Sequence, residues 1–197
     1  MPVAAGLVTF ALMLSSGCRQ GAHPYRGLEY SPAHPAPEFT LTDQQGKPFR
    51  LVEQRGRAVL LFFGYTSCPD VCPTTLASWK QVHAALGGDG SKARFLFVTV
   101  DPERDTPARL KRYLAIFSPD FVGLTGTQQA LAATYRAYGV VREKVTRSGS
   151  GVGYLVNHTA RTYLIDPAGF LRLSYGFGTL PKDIAEDIRR LLLEGQR

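Results

Sequence analysis

The chain has 197 residues, 44% hydrophobic and 20% charged, with 20 glycines, a balance that belongs to a folded globular protein and excludes disordered and fibrous chains. No stretch reaches the roughly 18 apolar residues of a membrane-spanning helix, which excludes a polytopic membrane protein. The net charge of +7 is scattered without a Lys/Arg run, so it marks solubility or an acidic partner rather than a nucleic-acid reader, and the three cysteines are too few to staple a scaffold but enough for a site.

Val3 to Leu14 carry no charge, and Ser15-Ser16-Gly17 lead into Cys18. An apolar core of 12 residues fits the h-region of an export signal better than a membrane anchor. The pattern resembles a bacterial lipoprotein signal, which implies that residues 1–17 are removed and that Cys18 is diacylated. The body is then held by lipid on the extracytoplasmic side of a membrane in the cell envelope. The segment departs from that pattern in having no Lys or Arg before the apolar core and in placing Ser15 where a leucine is expected. The alternative is an uncleaved hydrophobic tail with an incidental cysteine. Residues 18–37 hold Pro24, Pro32, Pro35 and Pro37 among few apolar letters and are expected to form a flexible spacer, with His23 and His34 solvated.

A folded body is expected over residues 38–197. Phe39 to Leu41 and Phe49 to Leu51 alternate about Gln45-Gly46 and predict an N-terminal β-hairpin. The continuous apolar run Ala58 to Tyr65 predicts a central strand buried on both faces. Trp79, Val82 and Leu86 recur at helical spacing after Cys72, and Gly87-Gly88 ends that helix. Phe95 to Val100 reads as a second buried strand. Thr106 as N-cap and Pro107 in the first turn open a helix that Ser118-Pro119 closes. Phe121 to Leu124 is a short strand, Thr127 to Tyr138 a helix stopped by Gly139, and Arg147 to Gly153, with three glycines, a mobile loop. Thr162 to Ile165 and Phe170 to Ser174 flank Asp166-Pro167-Ala168-Gly169 as a second hairpin, and Pro181 to Leu193 is the closing helix. This order predicts an α/β chain with a largely parallel sheet and matches a thioredoxin-like three-layer fold with an N-terminal hairpin and a helical insertion.

Cys68 and Cys72 stand where the central strand runs into its helix. The free N–H groups and positive end of the helix dipole favour thiolates there, so both sulfurs are expected to be reactive. A spacing of four places two side chains on one face of a helical turn, within reach of one metal ion. It permits a disulfide less comfortably than C-x-x-C does, because Cα atoms at that spacing are roughly 6 Å apart, near the upper part of the usual range. The pair therefore leans toward metal binding without excluding redox work. His158 precedes the strand Thr162 to Ile165, whose leading loop packs against the cysteine turn in thioredoxin-like folds. No proline occurs between Pro119 and Pro167 to supply the cis-proline often found there. Two thiolates and one imidazole suit copper, Cu(I) in particular, whereas a structural zinc site normally has four protein ligands. Asp101 is either a fourth or supporting group or the start of a turn, and His83 reads as surface or core.

The run Phe63-Gly64-Tyr65-Thr66-Ser67-Cys68-Pro69-Asp70-Val71-Cys72-Pro73 resembles the copper-binding motif of the Sco/SenC family. Val100 to Pro107, Phe117 to Gly126 and His158-Thr159 ahead of Tyr163-Leu164-Ile165 are similar to further family segments, so the resemblance covers roughly residues 38–195. It implies a thioredoxin-like fold, copper held by Cys68, Cys72 and His158, and delivery to the binuclear centre of cytochrome c oxidase subunit II. Two functions of different kind follow. A metallochaperone carries Cu(I) or Cu(II) on an open three-ligand site for that subunit or another cuproprotein. A thiol-disulfide oxidoreductase uses Cys68 and Cys72 as a redox pair on a cuproprotein's cysteines. A peroxidase-like or redox-sensing role is the remaining alternative.

Overall fold

A computed structural model describes residues 25–146 and 153–195. The export-signal segment, Cys18, His23 and most of the glycine-rich loop lie outside the described residues. Among the described residues ten strands and four α-helices follow in order: β1 (Leu28–Pro35), β2 (Thr40–Asp43), β3 (Pro48–Arg50), β4 (Ala58–Gly64), α1 (Val71–Leu86), β5 (Ala93–Thr99), α2 (Pro107–Ala115), β6 (Val122–Thr125), α3 (Gln128–Ala137), β7 (Arg142–Thr146), β8 (Tyr154–His158), β9 (Thr162–Ile165), β10 (Phe170–Tyr175) and α4 (Pro181–Glu194). Eight strands form one sheet in the order β1-β10-β9-β4-β5-β6-β2-β3, and β7 and β8 form a separate ribbon.

The layers follow from the pleat of β4. Every residue of β4 is buried, and successive side chains point to opposite faces. Phe62 meets Trp79 of α1 edge-on at 6.2 Å, while Phe63 meets Tyr135 of α3 and Tyr138 just beyond it, at 6.1 and 5.6 Å. Helices therefore cover both faces, as a strand with no polar side requires. Thr106 caps α2 by accepting the Arg109 N–H, and Thr127 caps α3 by accepting that of Ala130. The thioredoxin-like three-layer arrangement is present.

Three expectations are corrected. The sheet is mixed, because among the described residues only β4–β5 and β5–β6 pair in parallel, and both hairpins add their strands antiparallel. The flexible spacer over 18–37 does not extend through its second half, since Leu28–Pro35 form the edge strand β1 against β10, with a register shift between Glu29 and His34. Pro32 and Pro35 fit there because an edge strand needs only half its ladder bonds. His34 remains exposed, its ring against Tyr30. Finally, the stretch after Gly139 contains the β7–β8 ribbon, paired from Arg142–His158 to Thr146–Tyr154, which the sequence pattern does not announce.

Candidate metal centre

Strand β4 delivers the chain through Gly64 and the buried Tyr65 into the turn that carries Cys68. Gly64 is required by crowding: a Cβ there would lie 2.7 Å from Phe97, 2.8 Å from Phe62 and 2.9 Å from the Cys72 sulfur. Cys68 precedes α1, and Cys72 is the second residue of that helix, so the two do not share a helical face as the spacing suggested. Asp70 occupies the N-cap position without a capping side-chain bond. The Cys68 sulfur does that work instead, accepting the Cys72 N–H at 3.4 Å.

This geometry separates the two sulfurs, which the sequence treats alike. The Cys72 thiol, the His158 ring and backbone N–H groups of Asp70 and Cys72 stabilise the Cys68 thiolate against partial burial and lower its pKa to about 4. Hydrogen bonding to that thiolate, then full burial, pushes Cys72 in the opposite direction, so Cys72 is the thiol that donates. Both sulfurs are free. The helix end therefore activates Cys68 alone.

His158 closes the site from the last residue of β8. Its Nε2 lies 3.8 Å from the Cys72 sulfur. Its Nδ1 lies 3.1 Å from the Thr159 carbonyl oxygen, which can only accept, so Nδ1 carries a hydrogen and Nε2 faces the sulfurs. The ring is held edge-on by Phe62 at 6.1 Å and Tyr65 at 5.9 Å. The Tyr65 hydroxyl accepts the Val156 N–H, tying β8 to the cysteine turn. Among the described residues no three His, Cys, Asp or Glu side chains stand in a closed metal-binding arrangement. The two sulfurs and the imidazole are neighbours.

A second layer holds the turn. Fully buried Asp105 accepts the Thr66 N–H at 3.0 Å, the Thr66 hydroxyl at 2.6 Å and the Thr99 hydroxyl at 2.7 Å. Burial raises its pKa, and those three donors oppose the rise. Arg109 donates to the Thr66 and Ser67 hydroxyls at 2.7 and 2.9 Å. Asp105, Thr66, Thr99 and Arg109 escaped the sequence reading, although Asp105 lies in the quoted run Val100 to Pro107. Asp101 is a turn residue whose carbonyl accepts the N–H groups of Arg104 and Asp105. Its buried carboxylate accepts the Tyr154 hydroxyl at 2.7 Å and an Arg104 N–H, anchoring the loop end of the ribbon, where Tyr154 pairs with Thr146 on the strand that carries His158. His83 lies on α1 beside Asp120 and against Phe95, as a surface residue.

A family model described as SCO1/SenC matches residues 29–193, nearly all of the described chain. The chain belongs to the SCO1/SenC family. A "SCO2-like protein" of Rickettsia felis is 36% identical over 152 residues, 77% of this chain and 74% of that protein. The copper-bound structure of ScoI from Bradyrhizobium japonicum aligns with a TM-score of 0.73 at 40% identity, covering 80% of this chain and 99% of that one. BsSco, in which a disulfide switch was identified and which is a member of the Sco family of cytochrome c oxidase assembly proteins, aligns with a TM-score of 0.65 at 25% identity, covering 86% and 98%.

Proposed function

We propose that this SCO1/SenC protein is a copper metallochaperone. Cys68, Cys72 and His158 hold the ion, and the protein delivers it to, or helps mature, the binuclear centre of cytochrome c oxidase subunit II. The observation that carries the reading is the 3.8 Å between the Cys72 sulfur and His158 Nε2, with that nitrogen oriented by the Thr159 carbonyl. Metal–sulfur and metal–nitrogen bonds of about 2.3 and 2.0 Å place two ligands that far apart when they subtend roughly 120°, a trigonal angle. A third ligand, the Cys68 thiolate, completes such a set and leaves the solvent side open for transfer. Two soft sulfurs and one imidazole suit Cu(I).

The second reading, a thiol-disulfide oxidoreductase acting on a cuproprotein's cysteines, is favoured by the half-exposed low-pKa Cys68 beside a buried thiol, the usual division between attacking and resolving sulfurs. The lipoprotein reading of residues 1–18 adds that Cys18 anchors the body to the outer side of a membrane.

A His158→Ala variant separates the two. Under the chaperone reading, stoichiometric copper binding is lost at concentrations that saturate the unaltered chain, while exchange with a model disulfide survives. Unchanged copper affinity in that variant would remove His158 from the site and leave the thiol chemistry as the function.

A further inference from the structure

Beside the cysteine turn lies a depression of about 290 Å³ lined by Thr66, Arg109, Arg112, Tyr113 and Ile116. Its lining carries two guanidinium groups and no carboxylate. Arg109 is occupied by the Thr66 and Ser67 hydroxyls, 3.9 Å from the buried Asp105. Arg112 is exposed and has no partner among the described residues. The Tyr113 hydroxyl is buried from solvent, also without a partner among the described residues, and Ile116, 71% exposed, forms an apolar rim. Nearby carboxylates are directed elsewhere: Asp70 toward Thr74, Glu103 to Lys144, and Asp105 beneath the turn.

We propose that this depression receives an acidic side chain of the protein that takes the copper, docking a carboxylate between Arg109 and Arg112. This rests on the copper-carrier reading of the neighbouring site. A guanidinium matches a carboxylate in charge and shape. Arginine and tyrosine are among the residue types that dominate protein–protein contacts. One wall is Thr66, two residues before Cys68, so a carboxylate seated here sets the partner's position relative to the partly exposed Cys68 sulfur. The chain's excess of positive charge steers an acidic surface toward it.

The probe is an acetylated hexaglutamate peptide, titrated into the full chain while backbone amide shifts are followed by NMR. Shifts are expected to centre on Thr66, Arg109 and Tyr113, to weaken with salt, and to fall about tenfold in affinity in Arg112→Glu but not in Lys182→Glu, an exposed lysine on α4. Equal binding by Arg112→Glu, or shifts spread over other basic surface, overturns the proposal. Copper affinity is measured in parallel and is expected to be unchanged in Arg112→Glu. A chain that binds the peptide here yet no copper refutes the carrier reading, and one that binds copper but not the peptide here refutes the docking site.

Discussion

The two sulfurs of this site differ by position rather than by type. Cys68 stands in front of a helix and Cys72 inside it, and that offset makes one an anion and the other its donor. A lowered pKa means that the anion is present down to lower pH. Alkylation of Cys68 by iodoacetamide should therefore change less than about twofold between pH 6 and 8, and decline only as the pH approaches 4. An unperturbed thiol gains almost tenfold per pH unit over that range. A steep rise to pH 8 at Cys68, or comparable labelling of Cys72, contradicts the assignment. Gly64 is the other residue on which the site depends. Gly64→Ala forces a methyl against Phe97, Phe62 and the Cys72 sulfur, and is expected to destabilise the fold by about 1–3 kcal/mol and to weaken copper binding. Urea unfolding and copper titration check both effects. Cys68, Cys72 and His158 were legible because thiol and imidazole are rare side chains with few other uses in such a place. Asp105 was not, because a carboxylate in a polar loop usually faces water, and only the fold shows that it is buried beneath Thr66.

Among the elements, β4 with α1 and the β7–β8 ribbon do the positioning. The first pair was readable from a seven-residue apolar strand followed by helical periodicity. The ribbon was not: Arg142–Thr146 alternates weakly, its partner strand is only partly buried, and the pairing is completed by contacts distant in sequence. Its loop end depends on Tyr154, whose hydroxyl donates to buried Asp101, whose ring lies 3.7 Å from the Arg104 guanidinium and whose carbonyl accepts an Arg104 N–H. Tyr154→Phe keeps the ring and removes the donor, leaving the Asp101 carboxylate short of one hydrogen bond. The expected loss is about 1–3 kcal/mol in urea unfolding, with a weaker copper site because β8 carries His158. An unchanged midpoint would show that Arg104, by stacking and by its bond to the Tyr154 carbonyl, anchors the ribbon without the hydroxyl.

For the whole molecule, the chain closes on itself at a point the prolines concealed. The Arg26 and Gly27 N–H groups donate to the Asp187 carboxylate of α4 at 3.1 and 2.9 Å, and the Tyr175 hydroxyl donates to it at 3.0 Å. The folded body thus begins by Tyr25, whose hydroxyl bonds Glu194, rather than at Glu38. Prolines suggested a spacer because they weaken any strand, yet an edge strand tolerates them when its partner supplies the register. Removing residues 1–27 should cost about 3 kcal/mol more than removing 1–24, because buried Asp187 loses two charge-assisted bonds. Equal melting temperatures for the two truncations would contradict that closure. The claim on which the functional reading stands is that one ion joins residues 68, 72 and 158. X-ray absorption at the copper edge of the Cu(I)-loaded chain tests it most directly. The expected first shell has two sulfurs near 2.3 Å and one nitrogen near 2.0 Å, the nitrogen disappearing in His158→Ala. A shell of sulfur alone, or one identical in the variant, contradicts it.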